Sequence, residues 1–255
     1  MITLNNVTFS YPDHEPVFRG LNWTVEAGEA WAVLGPSGCG KTTLLYLLAG
    51  LRQPTGGEIR ISGQVQSGPR PRTGLILQDY GLLPWATAED NVKLGLKIRS
   101  FYGPDGKHSP EDEASINHEE RVNYWMNRLT LAAHARKYPG QLSGGQRQRV
   151  AIARTLALVP DILLMDEPFA SLDAPTRERL QNLTFELRAE ANLTTVIVTH
   201  AIEEAAVLGN KVLVLDQPPN LNPAVVDIPG AGDIEYRHST DYFQMCTVLR
   251  QRMES

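Results

Sequence analysis

Short runs of apolar residues recur along this chain and predict strands that are buried on both faces. They lie at 30–34, 75–77, 162–165, 195–199 and 212–215. Polar or helical sequence follows each run, which is the pattern of an α/β fold. Over residues 3–9 polar and apolar residues alternate instead, so we expect the chain to begin with antiparallel strands that have one covered face.

Helical patterns replace the strands between about Glu89 and Pro160, which predicts an inserted helical lobe. Inside it, residues 100–120 are polar, acidic and rich in glycine and proline, so we expect a surface excursion or a mobile loop there. After a turn at Pro218-Pro219, the tail is expected to be an irregular connection with one helix near residues 242–253.

Composition narrows the class of protein. A chain of 255 residues that is 42% hydrophobic can bury roughly 70–75% of its unfolded surface. The net charge of −5 argues against a dedicated nucleic-acid binder. Cys39 and Cys246 lie far apart, which suits a reducing compartment and offers no disulfide framework. Neither a signal sequence nor an apolar stretch of about 18–20 residues is visible, so we expect a soluble or peripheral protein.

A glycine-rich segment between a predicted strand and a predicted helix is suited to phosphate. It reads Gly35-Pro36-Ser37-Gly38-Cys39-Gly40-Lys41-Thr42. Its glycines let backbone N–H groups turn inward, and the helix that begins near Lys41 adds about half a positive charge. We expect Lys41 to reach the β- and γ-phosphates and the Thr42 hydroxyl to bind Mg²⁺. The alternative, a glycine-rich turn with a chance lysine, does not explain this context, and Cys39 receives no role beyond its small size.

Two acids, Asp166 and Glu167, end the apolar run 162–165. Ligands of open α/β sheets bind outside the carboxyl ends of the strands. We therefore expect Asp166 to share the Mg²⁺ with Thr42, and Glu167 to polarise water for in-line attack on the γ-phosphate. An acidic helix start, with Pro168 as the first helical residue, is the alternative. It explains one acid better than two.

Gln78 and His200 also follow predicted strands. The amide of Gln78 can contact Mg²⁺ or a water molecule, although taken alone it is an ordinary residue at a strand end. His200 precedes a predicted helix over 201–208, and its imidazole can donate to the γ-phosphate or orient the water. A lone histidine is more often structural, and the position at a strand's carboxyl end is what favours a functional role here.

A second anion site is predicted at Ser143-Gly144-Gly145-Gln146, which opens a helix that runs to about Leu158. Ser143 is a suitable N-cap, and the two glycines leave the first N–H groups bare. The alternative is a plain capped helix whose arginines form a solvated face; these are Arg147, Arg149 and Arg154. The residues leave open whether this site serves the glycine-rich phosphate-binding segment (P-loop) at 35–42 of its own chain or that of another molecule.

In this order the segments closely resemble the ATP-binding subunit of ABC transporters, over most of residues 1–216. The resemblance implies a P-loop NTPase core of mainly parallel sheet, an N-terminal antiparallel β subdomain and an inserted α-helical subdomain. It identifies Walker A (Gly35–Thr43), Walker B (Ile162–Glu167), the Q-loop (Gln78), the signature (Leu142–Gln146), the D-loop (Ser171-Leu172-Asp173) and the switch histidine (His200). Tyr11 stands where the family has an aromatic residue that stacks on adenine, whereas the sequence pattern alone indicates a turn tyrosine.

The resemblance also implies an assembly with ATP and Mg²⁺ as cofactors. Two protomers pair head to tail, so that residues 143–146 of each face the γ-phosphate held by the partner's P-loop, and Asp173 couples the two sites at the seam. A homodimer is the simplest form of this assembly, and a heterodimer with an ATPase of different sequence is the alternative. The Gln78 loop and the helical lobe would receive a coupling helix from an integral membrane permease. A solute-binding protein and a peripheral location on the cytoplasmic face of the membrane follow in the same way.

The sequence further favours one branch of the family. With a single P-loop and a single signature, the chain is similar to a stand-alone importer ATPase. Residues 79–85 (Asp-Tyr-Gly-Leu-Leu-Pro-Trp) resemble the corresponding segment of the nitrate, sulfonate and taurine importers. We interpret 1–255 as one ABC ATPase domain. Its parts are an ATP-binding core (1–88 and 160–216), a helical subdomain with the signature (89–159) and a short C-terminal extension (217–255).

Two other functions compete with transport. Non-transport ABC proteins that act on DNA or the ribosome usually carry two ATPase domains or a long coiled coil, and this chain has neither. A module that senses ATP without hydrolysing it would not need a complete reactive set. That set is Lys41, Asp166, Glu167 and His200.

Overall fold

The structure is a computed structural model that describes residues 1–111 and 117–254. Its strands are β1 (Ile2–Ser10), β2 (Pro16–Val25), β3 (Ala30–Leu34), β4 (Gly56–Ile61), β5 (Gln64–Val65), β6 (Thr73–Ile76), β7 (Ile162–Asp166), β8 (Thr194–Thr199), β9 (Lys211–Val214) and β10 (Ala224–Asp227). Its α-helices are α1 (Lys41–Leu48), α2 (Ala88–Tyr102), α3 (His118–Arg128), α4 (Gly144–Leu156), α5 (Ala174–Ala191), α6 (Ile202–Leu208) and α7 (Thr240–Glu254). Short 3₁₀ turns lie at Ala132–His134, Pro139–Gln141 and Glu235–His238.

Two sheets form the α/β architecture that the sequence predicts. The first is antiparallel, with strand order β2-β1-β4-β5. In β1 the apolar members of the alternating pattern, such as Leu4 and Val7, are buried. The second sheet has the order β10-β9-β3-β8-β7-β6, and its neighbours from β9 to β6 are parallel. The fold class is therefore confirmed, because the predicted buried strands β3, β6, β7, β8 and β9 lie side by side.

The parallel register brings three functional segments to one edge. Leu34 of β3 pairs with Thr199 of β8, and Val198 of β8 pairs with Asp166 of β7. These strands are buried along their whole length, as the continuous apolar runs require. Because their carboxyl ends are level, the P-loop, Glu167 and His200 all leave the sheet at the same side.

The segment between β6 and β7 holds α2, α3 and α4, which pack through Val92, Leu96, Val122, Trp125 and Val150. Both ends of the predicted excursion 100–120 are helical, since α2 continues to Tyr102 and α3 begins at His118. The irregular segment is therefore shorter than predicted at both ends, and residues 112–116 of the predicted excursion lie outside the described residues. No helix in the described ranges combines the length and the apolar composition that crossing a bilayer requires.

The tail contains more regular structure than predicted. The expected helix is α7, but the connection before it includes β10, which pairs antiparallel with β9. The sequence did not predict β10 because it is a four-residue edge strand whose regular structure depends on its pairing with β9. Pro223, directly before it, is also a residue typical of turns. From this tail Ile228, Cys246 and Leu249 pack under Ala32 and Val214, so it covers one face of the parallel sheet.

Candidate nucleotide site

Lys41 is the first residue of α1, and its side chain reaches back into the loop that joins β3 to α1. Its Nζ donates hydrogen bonds to the carbonyl oxygens of Gly35 at 2.8 Å and Pro36 at 2.9 Å, and Lys41 is only 7% exposed. Gly38 and Gly40 have φ angles of 82° and 109°, which residues with a side chain rarely adopt. The loop therefore closes around a buried ammonium group. Gly40 places no side-chain cap on α1, so the N–H groups at the helix start remain available to an anion.

An open cavity of about 650 Å³ lies over this loop. Its lining residues are Tyr11, Pro12, His14, Val17, Ser37, Gly38, Gly40, Lys41, Thr42, Thr43 and Glu167. The structure thus brings together most of the P-loop, the predicted aromatic residue and the second acid. Gly35, Pro36 and Cys39 are not among the lining residues, and the Cys39 side chain is fully buried.

Asp166 and Thr42 form the oxygen-rich side of the site. The Thr42 hydroxyl donates to Asp166 Oδ1 at 3.3 Å, and Asp166 is 5% exposed. Burial raises the pKa of the Asp166 carboxyl. A hydroxyl and a carboxylate are hard oxygen ligands of the kind that Mg²⁺ takes next to nucleotide phosphates. These two residues therefore fit the predicted metal.

Glu167 has an unusual backbone. Its φ angle of 44° is in the left-handed region, which costs a residue with a side chain about 1–3 kcal/mol. The Glu167 N–H donates to the carbonyl of Val198 at 2.9 Å and holds this conformation. The alternative of an acidic helix start was wrong, because turns follow Glu167 and α5 begins only at Ala174. His200 is 57% exposed and its Nδ1 lies 3.0 Å from Glu167 Oε1, so the structure brings these two predicted residues together.

Gln78 lies apart from this group. It stands two residues after the end of β6, is exposed, and is not among the residues that line the cavity. The predicted strand end at Leu77 was one residue too long, because β6 ends at Ile76. The expected contact between the Gln78 amide and the site of Thr42 and Asp166 is not present in this conformation.

Tyr80, two residues after Gln78, ties this loop to its surroundings. It is buried at a φ of 67°, and its hydroxyl lies 2.7 Å from Ser171 Oγ. Arg154 donates to the carbonyls of Tyr80 at 2.7 Å and Gly81 at 2.6 Å, and burial lowers its pKa. The interpretation of Arg147, Arg149 and Arg154 as a solvated face was therefore wrong for Arg154. Sequence reasoning missed Tyr80 and Arg154, because only tertiary contacts connect them.

The predicted second anion site is a capped helix start. Ser143 accepts from the Gln146 N–H at 3.3 Å, and Gln146 Oε1 accepts from the Ser143 N–H at 2.9 Å. Asp173 caps α5 by accepting from the Thr176 N–H at 3.2 Å. Hydrogen bonding by the Thr176 side chain, and then by its N–H, lowers the pKa of Asp173. Neither Asp173 nor the helix start, which includes Gly144 and Gly145, is among the residues lining the cavity of this chain.

Tyr11 forms one end of the cavity. Its hydroxyl lies 3.1 Å from Thr43 Oγ1, and the Phe9 ring packs edge-on at 5.0 Å. The Arg52 guanidinium lies 5.7 Å from the ring centre. These contacts fix the ring beside the P-loop, where an aromatic surface suits a nucleobase.

The profile of a family described as "ABC transporter" matches residues 18–170. The chain belongs to the ABC transporter family. It is 42% identical over 203 residues to the "Taurine import ATP-binding protein TauB" of Pseudomonas aeruginosa, covering 80% of this chain and 73% of that protein. The protein of the same name from Escherichia coli K12 is 39% identical over 215 residues, covering 84% and 80%.

Solved structures agree with this assignment. A dimeric bacterial ABC transporter cassette is 31% identical with a TM-score of 0.74, covering 89% of this chain and 99% of that one. A component of an ABC transporter complex from Clostridium perfringens is 25% identical with a TM-score of 0.72, covering 98% and 96%. The chain is therefore an ATP-binding protein of an ATPase family.

Because Asp166 is buried, we expect its replacement to raise the thermal stability of this ABC ATPase while it abolishes ATP hydrolysis. Asp166→Asn removes a buried carboxylate, so we expect the ligand-free Tm at pH 7 to rise by roughly 2–4 °C, while Mg²⁺-dependent hydrolysis is lost. Because the folded-state pKa lies above its ordinary 3.8, the folded protein binds the proton more tightly than the unfolded chain. The protonated Asp166 carboxyl thus contributes to the free energy of unfolding of the parent. This contribution is lost as pH rises from 3.8 through the folded-state pKa.

Thermal unfolding of both proteins at pH 4 and pH 7 checks this prediction. The difference in Tm should shrink at the lower pH. Asp227→Asn, at an exposed position of β10, is the matched control and should leave ATP hydrolysis unchanged. A Tm for Asp166→Asn that is below the parent value at pH 7 would contradict the stated cost of burial.

Proposed function

We propose that this ABC ATPase powers the import of a small anion, of the sulfonate or nitrate class, through a separate membrane permease. The similar proteins from Pseudomonas aeruginosa and Escherichia coli carry names for taurine import, and residues 79–85 agree with that branch. The observation that carries the ATP-driven part is the cavity that combines Lys41 with Glu167. On this proposal 1–88 and 160–216 form the ATP-binding core, 89–159 the helical subdomain and 217–255 an extension.

Hydrolysis would use groups that already lie near one another. The buried Lys41 ammonium would exchange its bonds to the carbonyls of Gly35 and Pro36 for the β- and γ-phosphates. Glu167 would accept the proton of the attacking water, and His200, 3.0 Å from Glu167, would orient that carboxylate and donate to the γ-phosphate. Thr42 and Asp166 would hold Mg²⁺, which neutralises charge on the phosphates when bound. Gln78 would join this group only after its loop moves inward.

ATP would be enclosed between two protomers. The capped helix start at Ser143 offers bare N–H groups but does not line its own chain's cavity. A second copy arranged head to tail would bring residues 143–146 to the γ-phosphate, and the exposed Asp173 to the seam. This arrangement would make ATP binding and dimer formation one event.

The permease would dock on the helical lobe beside the Gln78 loop. Trp85 follows that loop and is 74% exposed, and Phe101 at the end of α2 is 82% exposed. Their exposed rings would supply apolar contact area to a partner that docks there. The protein would then be peripheral, on the cytoplasmic face of the membrane, with a solute-binding protein on the other side. The alternative, a non-transport ABC protein on DNA or the ribosome, is disfavoured by the net charge of −5.

Purification of the tagged chain from gently solubilised native membranes tests this function. We expect a multi-span permease to accompany it in stoichiometric amount. Trp85→Ala should reduce the recovered permease, whereas Tyr138→Ala, on another exposed aromatic residue, should not. Recovery of ribosomes, DNA-repair proteins or no membrane protein would contradict the transport function and leave only the ATPase.

A further inference from the structure

A residue of the tail, Asn220, reaches the back of the P-loop. It is 3% exposed although it lies in a connection between β9 and β10. Its Nδ2 donates to the carbonyl of Cys39 at 2.9 Å, and its Oδ1 accepts from the Asp216 N–H at 2.9 Å. The second bond fixes which end of the amide faces the P-loop, because an N–H can pair only with the oxygen.

The backbone of Asn220 holds the same region. Its N–H donates to the carbonyl of Val17 at 3.0 Å, and its carbonyl accepts from the Arg19 N–H at 3.0 Å. Val17 lines the cavity, and it packs so closely on Gly40 that a Cβ there would lie 2.4 Å from Val17 Cγ1. Asn220 therefore joins β2 to the P-loop, and it is not itself among the residues that line the cavity.

The geometry of a peptide group gives this contact a consequence. The peptide between Cys39 and Gly40 is trans, so its C=O and N–H point in opposite directions. Because Asn220 holds the Cys39 carbonyl on the tail side, the Gly40 N–H points away from the tail. Gly40 lines the cavity, so this orientation of the peptide leaves the Gly40 N–H free to face a phosphate there.

We propose that Asn220 is a positioning residue for ATP: it holds the Cys39–Gly40 peptide in the orientation that presents the Gly40 N–H to phosphate. A glycine-rich loop has many accessible conformations, and only some of them present its N–H groups inward. A buried donor on the tail selects one of them before the nucleotide arrives. The extension 217–255 thereby acts directly on the nucleotide site.

Asn220→Asp tests this proposal with little change of shape. The aspartate keeps the oxygen that accepts from the Asp216 N–H. It replaces the Nδ2 group that donates to the Cys39 carbonyl with a second oxygen, which can only accept. The same Nδ2 also lies 3.4 Å from the Val17 carbonyl. We expect ATP to bind roughly tenfold more weakly, as the loss of the shorter, buried hydrogen bond to Cys39 implies. KM for ATP should rise by a similar factor while kcat changes less than about threefold, because Asn220 contacts no reacting group. Calorimetric titration of ATP and phosphate release measure the two quantities.

Two comparisons separate positioning from other causes. Asn222→Asp adds the same charge at an exposed position two residues away, and it should bind ATP like the parent. Asn220→Ala removes the donor without adding charge, and it should weaken ATP binding in the same direction as Asn220→Asp.

Three results would overturn the proposal. Unchanged ATP affinity in both Asn220 variants would remove the positioning role. Equal weakening in Asn222→Asp would assign the effect to charge. A reduced kcat with unchanged KM and a lower Tm would assign Asn220 to general stability. Because the isolated chain is titrated with ATP, the outcome does not depend on the transported solute or the permease.

Discussion

Glu167→Gln is expected to abolish ATP hydrolysis while ATP binding survives. The amide is isosteric with the carboxylate but cannot accept the proton of the attacking water, and loss of a general base costs about 10²–10⁴-fold in rate. Glu167 lines the cavity beside Lys41, and its carboxylate is 3.0 Å from His200. Phosphate release at saturating ATP measures the rate, and calorimetric titration measures the binding.

A matched variant and the oligomeric state make this test specific. Glu203→Gln changes an exposed carboxylate at the start of α6 and should hydrolyse ATP like the parent. If ATP is enclosed between two protomers, Glu167→Gln should also form a stable dimer with ATP but not with ADP, as light scattering would detect. Hydrolysis by Glu167→Gln at the parent rate would refute the assignment of Glu167.

Lys41→Met is expected to have the second largest effect. It keeps the length of the side chain but removes the ammonium group that lines the cavity. We expect hydrolysis to fall by at least about 10²–10³-fold, the loss typical of one transition-state donor. Unlike Glu167→Gln, this variant should also bind ATP weakly, because on the proposed function Lys41 would contact phosphates that carry charge before the reaction begins.

The matched control is Lys137→Met, at an exposed lysine of the helical lobe. It should retain ATP affinity and hydrolysis. Lys41 also satisfies the carbonyls of Gly35 and Pro36, so thermal unfolding must accompany the kinetics. A folded Lys41→Met protein that binds ATP with parent affinity would contradict the proposed role of the ammonium group.

Local chemistry explains why the sequence predicts so much of this site. Walker A requires glycines because residues with a side chain rarely adopt φ angles such as the 109° of Gly40. The strands β3, β7 and β8 are continuous apolar runs, and the polar residue after each run must lie at a carboxyl end. Ser143 is the N-cap that the sequence predicts, and in the structure Gln146, three residues later, completes a capping box with it.

Tertiary structure decided the features that depend on distant partners. Gln78 lies away from the cavity in this conformation, while Tyr80 next to it is held by Ser171 and Arg154. A three-residue spacing or an apolar run contains no information about such contacts, since they join segments that lie about 90 residues apart in sequence, as Tyr80 and Ser171 do.

The sequence by itself determined the fold class, the P-loop and the acids, because glycine conformations, helix caps and buried strands are set by residues a few positions apart. Only the tertiary structure decided that Asp166 is buried against Thr42, that β10 covers an edge, and that Asn220 holds the P-loop from behind. Each of these is a hydrogen bond or a strand pairing between segments that meet only when the chain has folded.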